Sequence, residues 1–136
     1  MSRTFIILTG AALAFTASAL MARSELPAIA TPVTASDTTA ALSALGDSIF
    51  HGKAANGICF TCHLANGRGL KGVAPDLTDA KWLHGDGSIA SIMTTIEKGV
   101  PKPKESPVPM PPAGGAKLSP TQLLAVATYV KSLGVK

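Results

Sequence analysis

Apolar residues recur at helical spacing in three stretches of the chain, and each stretch carries its own start and stop signals. Ala41, Leu42, Leu45, Ile49 and Phe50 form the first, with intervals of three and four that place them on one helix face. With Asp37 as N-cap and Gly52 as terminator, they predict a helix over about 38–51. Ile89, Ile92, Met93 and Ile96 form the second, with Asp86 or Ser88 as cap and Gly99 as stop. The third opens on Ser119-Pro120-Thr121-Gln122, a capping box with proline at the first helical position, and Leu118 with Leu123 can staple its entry. Leu123, Val126, Ala127 and Val130 make its buried face and Gly134 closes it. Gly46 sits inside the first helix, where glycine costs about 1 kcal/mol relative to alanine. It marks either a close approach by another backbone or a weak spot, and small Ala127 would let the last helix cross the first near it.

Outside these stretches the pattern changes. Residues 5–22 carry no charge and follow Arg3, the layout of an export signal or an uncleaved membrane anchor. Segment 1–22 is therefore expected to place the rest outside the cytoplasm, with A-x-A-like cleavage sites at Ala17-Ser18-Ala19 and Ala28-Ile29-Ala30. Residues 23–36 mix Ala, Thr, Pro and Ser without an apolar period and read as a flexible linker. Segment 37–136 is left as one small domain. Pro101 to Pro112 holds six prolines, so it is neither helix nor central strand but a stiff, extended loop. Beyond the leader the large aromatics are Phe50, Phe60, Trp82 and Tyr129, few for a core of ordinary composition. A domain this size usually needs a staple.

The chain's two cysteines suggest what the staple is. They lie in Cys59-Phe60-Thr61-Cys62-His63, and the C-x-x-C-H spacing is that of covalent c-type haem attachment. Two thiols about one helical turn apart can both form thioethers with one porphyrin, and the next residue then falls under the iron. A redox C-x-x-C would want a strand before it, and Asn56-Gly57-Ile58 offers a turn instead. A structural zinc site needs four ligands, and beyond this motif only His51 and His84 remain as histidines. A disulfide across so short a loop would stabilise little. With one such motif, one haem and one iron are expected per chain.

The other site candidates follow from what a haem needs. Proline keeps its carbonyl, so Pro75 can accept from the ring nitrogen of His63 that faces away from the iron and fix that ring. Met110, in Pro109-Met110-Pro111-Pro112, is an apolar residue on a surface loop, and a thioether facing the iron opposite His63 explains it. Met93 shares a face with Ile89 and Ile96 and reads as core. Trp82 can cover the haem edge, or simply pack in the core. His84 is read as a loop residue, with a role as alternative sixth ligand left open, and His51 as an exposed histidine at the end of its helix. The glycines between Asn66 and Gly72 lack a phosphate-loop pattern and suit a tight turn round the porphyrin edge.

Taken together, Gly46 with Ile49-Phe50, Cys59-x-x-Cys62-His63, Pro75-Asp76-Leu77, Trp82, Met110-Pro111 and Ala127-Thr128-Tyr129-Val130 resemble the class I c-type cytochromes in their small bacterial form, over about residues 40–134. The resemblance implies an all-α cytochrome c-like fold of three to five short helices round one covalent haem c, with the first and last helices crossing. It also implies His63 and Met110 as axial ligands, and one-electron transfer by a carrier or redox subunit rather than an enzyme. A haem-based sensor or weak peroxidase, in which Met110 leaves the iron, is the alternative. The chain departs from the pattern in the long proline-rich insert before Met110.

Charge adds one expectation. The formal net charge of +4 falls to +3 without residues 1–30, too little to argue for nucleic acid. Lys98, Lys102 and Lys104 precede Met110, while Arg68, Lys71 and Lys81 surround the histidine side. Such charges ordinarily form a solvated face; the sharper expectation is that some ring the haem edge and steer an acidic redox partner.

Overall fold

The computed structural model describes residues 34–134, so the leader and all but the last few residues of the linker lie outside it. Helix α1 runs Ala35–Phe50, α2 Phe60–His63, α3 Ile89–Lys98 and α4 Pro120–Leu133, with a 3-10 turn at Pro112–Gly115. Among the described residues there is no strand, only one isolated antiparallel bridge between Val100 and Met110, and the fold is all-α.

Helix α1 starts three residues earlier than its apolar pattern predicts and takes in Ala35 and Ser36. Its N-cap is Thr34, not Asp37. The Thr34 hydroxyl accepts from the Asp37 amide at 3.2 Å and the Asp37 carboxylate accepts from the Thr34 amide at 2.9 Å, so two of the donors orphaned at a helix start are satisfied reciprocally. This holds the Asp37 carboxyl below its usual range. Ala41, expected on the buried face, is exposed. Helix α3 is capped by Ser88, whose hydroxyl accepts from Ser91. Asp86, the other candidate, instead accepts from the Ser88 amide in the turn before it.

Helix α4 begins on the expected box, with Ser119 Oγ accepting from the Gln122 amide at 3.3 Å and Gln122 Oε1 accepting from the Ser119 amide at 2.9 Å. Ser119→Ala should therefore cost about 1 kcal/mol, read as a lower urea midpoint at unchanged slope.

The core consists of Ile49 and Phe50 of α1, Ile92 and Ile96 of α3, and Leu123, Ala125, Val126, Ala127 and Val130 of α4. Helices α1 and α4 make the principal packing contact, and α3 packs on α4. The closest approach is at Gly46. A β-carbon there would overlap the Ala125 carbonyl oxygen and lie 2.7 Å from the Tyr129 β-carbon. The glycine is thus a close-approach site, but its partner is Ala125 rather than Ala127. Phe50, Ile92, Ile96, Val126 and Val130 also turn part of their surface to a cleft, so the same residues that close the core form the wall of the site.

Candidate functional site: a cleft lined by two thiols, an imidazole and a thioether

Cys59 is the N-cap of α2. Its carbonyl accepts from the His63 amide at 3.0 Å and the Cys62 amide at 3.3 Å, so Cys59 and Cys62 lie one turn apart. A short helix leaves its last carbonyls without partners of its own. The glycine-rich segment supplies them: Leu70 donates to Cys62 O at 2.8 Å and Gly69 to His63 O at 2.9 Å, while Leu77 donates back to Gly67 O at 2.8 Å. The chain from 66 to 77 is thereby folded against the C-terminal end of α2.

That fold-back brings the Pro75 carbonyl to 3.4 Å from His63 Nδ1. Gly69 permits it. With φ at +70°, a β-carbon at this position would collide with the carbonyl oxygens of Ala74 and Pro75. Burial pushes the His63 pKa below its ordinary value, and the bond to Pro75 only partly offsets this. The ring is therefore neutral near pH 7. With Nδ1–H donated to Pro75, Nε2 carries a lone pair suited to a metal. Burial also raises the Cys59 thiol; Cys59 is half-buried and Cys62 exposed.

Met110 is placed from the other end of the chain. The residue after Gly99, Val100, exchanges both main-chain hydrogen bonds with Met110, at 2.8 and 3.0 Å. The methionine is thereby fixed to the end of α3. The proline-rich loop between them is tied to the histidine side by Ser106 Oγ, which donates to Val73 O at 2.8 Å, and by an ion pair between Lys81 and Glu105 at 2.5 Å.

Cys59, Cys62, His63, Pro75, Trp82 and Met110 all line one cavity of about 490 Å³, within the range of small-molecule and cofactor sites. Trp82 lines this cavity and also packs against the core, with Lys131 Nζ 5.4 Å from its ring centre. Met93 packs against the core and does not line the cavity. His84 does line it, half-buried. Arg68, Lys71 and Lys81 stand on its wall, while Lys98 and Lys102 border a separate shallow depression with His84.

The residues fit a haem. The donors are one neutral imidazole and one soft thioether, the two thiols sit one turn apart, and the wall is predominantly apolar. Among the described residues no three His, Cys, Asp or Glu side chains converge on a bare metal ion, so the zinc reading has no ligand set there. Sequence reasoning missed three features: the Val100–Met110 pair, the Ser106 tie and the engagement of His51. Each depends on partners distant in the chain.

A helical fold closed round a cleft of this composition defines a class of cofactor proteins with covalent porphyrin attachment. The cytochrome c family model matches residues 43–134, and the chain belongs to the cytochrome c family, whose cofactor is covalently bound haem c with iron. It is 40% identical over 77 residues to the cbb3-type cytochrome c oxidase subunit FixP of Azorhizobium caulinodans, covering 56% of this chain and 24% of that one. Against the subunit CcoP of Rhodobacter capsulatus the figures are 43% over 79 residues, 56% and 26%. Against CcoP of Cereibacter sphaeroides they are 35% over 103 residues, 75% and 31%. The chain thus spans about a quarter to a third of the length of these curated relatives. No helix among the described residues is long and apolar enough to cross a membrane.

Proposed function

We propose that this chain is a one-electron transfer protein with a single haem c, working in the periplasm as a diffusible carrier, as a carrier tethered by its leader, or as the redox subunit of an oxidase-type assembly. One observation carries the proposal: two thiols, an imidazole nitrogen and a thioether sulfur, drawn from sequence positions 59 to 110, line the same apolar cavity. When bound, the haem supplies an iron that cycles between ferrous and ferric. The chain's residues set the terms. Cys59 and Cys62 would hold the porphyrin covalently as thioethers, and His63 and Met110 would supply the iron with a nitrogen and a sulfur ligand. With both of these ligands bound, the iron would have no position open to a substrate, which would favour electron exchange over chemistry at the metal. Pro75 orients His63 and raises its basicity. The Met110 thioether favours the ferrous ion, as does the apolar wall, because the extra charge of the ferric state is poorly solvated there.

Relatives that are oxidase subunits support a redox-protein partner. Arg68 and Lys71 are the exposed cations of the cavity wall best placed to meet an acidic one, since Lys81 is already paired with Glu105. The test is an absorption spectrum and potentiometric titration of the exported protein. A covalent haem with a one-electron response and no carbon monoxide adduct in the ferrous state is expected. A colourless protein with two free thiols would overturn the haem assignment, and ready carbon monoxide binding would favour the sensor or peroxidase reading.

A further inference from the structure

His51 is the C-cap of α1 and its side chain is only 20% exposed. Its Nδ1 lies 2.9 Å from the Asp47 carbonyl and 3.0 Å from the Asp47 carboxylate, and its Nε2 lies 2.9 Å from the Ala65 carbonyl. All three partners are acceptors. A carbonyl has no proton to give, so a neutral imidazole could satisfy only one side of this arrangement, and a ring protonated on both nitrogens satisfies both. Around it, Phe50 meets the ring edge-on at 5.2 Å and Tyr129 of α4 at 6.0 Å.

We propose that His51, protonated on both ring nitrogens, is a positioning residue for the haem-attachment turn, clamping the chain just past His63 to the last turn of α1. Ala65 follows His63 by two residues, and the next amides, Gly67, Gly69 and Leu70, bond the carbonyls of Leu64, His63 and Cys62. Holding Ala65 therefore holds the segment that delivers Pro75 to His63. The charged and titratable groups that face His51 are Asp47, which favours its cation, Lys53, which opposes it, and Tyr129. Burial first, and then its bond to the Asp47 carboxylate, keep Tyr129 in its protonated form. The bond to Ala65 is the largest influence on His51 and raises its pKa above the ordinary 6.5. A raised value means the clamp is complete below pH 6.5 and is lost as pH rises through the folded-state pKa.

The proposal rests on the haem assignment only for what the turn carries; the clamp is a property of the chain. The experiment uses the reduced holoprotein between about pH 5.5 and 8.5, with the His51 ring followed by NMR and amide protection measured at Gly67, Gly69 and Leu70, corrected for intrinsic exchange. In wild type, both ring nitrogens should be protonated at the low end and the three amides should lose protection several-fold as the ring titrates. His51→Phe keeps a ring against Phe50 and Tyr129 but donates nothing, and it should show reduced protection with no pH step. A ring titrating below 6.5 would overturn the clamp, as would an amide profile identical in the variant. If His51→Phe fails to fold, the wild-type ring titration decides alone. A colourless protein with the pH step intact would sink the haem assignment and leave the clamp standing.

Discussion

Gly46→Val should lower the thermal midpoint of the holoprotein by roughly 10–20 °C or prevent its accumulation altogether. The first atom of any side chain at this position meets main chain, namely the Ala125 carbonyl oxygen, with the Tyr129 β-carbon 2.7 Å away. Main-chain atoms inside α4 cannot step aside without breaking that helix. Ala125 is fully buried, so there is no outward route of relief either. Overpacking in a closed core typically costs about 1–3 kcal/mol, and more where the backbone must move. Alanine in place of glycine would return at most about 1 kcal/mol through helix propensity, and valine less, because its branched side chain is stiff in a helix. For a domain of this size each kcal/mol is worth about 4–8 °C, against a total stability of about 5–15 kcal/mol. Scanning calorimetry of Gly46→Ala and Gly46→Val should give a graded fall, and unchanged midpoints in both would show that α1 and α4 are not held where Gly46 meets Ala125.

Met110→Ala should lower the midpoint potential of the bound haem by about 0.1 V or more, a fraction of the about 0.8 V that axial ligands command. A thioether is a soft donor that favours ferrous iron; with water or nothing in its place, the ferric state gains relative to the ferrous. The variant should also bind carbon monoxide readily when reduced. Met93→Leu is the informative control. Met93 packs against the core and is absent from the cavity wall, and a leucine of similar volume should leave potential and ligand binding near those of wild type. A midpoint insensitive to Met110 but sensitive to Met93, or to His84, would reassign the sixth ligand.

What could be read from the letters alone was whatever depends on near neighbours in sequence. Ser88, and Ser119 with Gln122, mark helix starts by side chains that act within one turn, Gly99 marks an end by a backbone at φ +65°, and those boundaries match the structure. The start of α1 was harder, because four of the five residues from 34 to 38, Thr34, Ser36, Asp37 and Thr38, are all capping types. The winning pair uses Asp37 as the reciprocal partner three residues into the helix, not as the cap itself. The attachment motif was legible because its spacing is its chemistry. His51 was misjudged as an exposed end residue because its decisive partner, the Ala65 carbonyl, lies 14 residues away and any residue type could have supplied it. Likewise Ala125 and Ala127 are equally small, and only the packing of α4 on α1 determines which one Gly46 meets. The cavity wall was half legible: Ile92, Ile96, Val126 and Val130 stood out as apolar, but periodicity cannot tell a residue that faces a cofactor from one that faces another helix.

The pairing of Val100 with Met110 has a consequence for how the sulfur could ever let go. Both the amide and the carbonyl of Met110 are engaged, so in the ligand role proposed above, release of the thioether would not need to displace its main chain; it could proceed by rotation about the side chain's own bonds. A sulfur that swings away while its α-carbon stays put remains within reach of the place it left. Return of the sulfur would then require side-chain rotation alone, with no rebuilding of the Val100–Met110 pair.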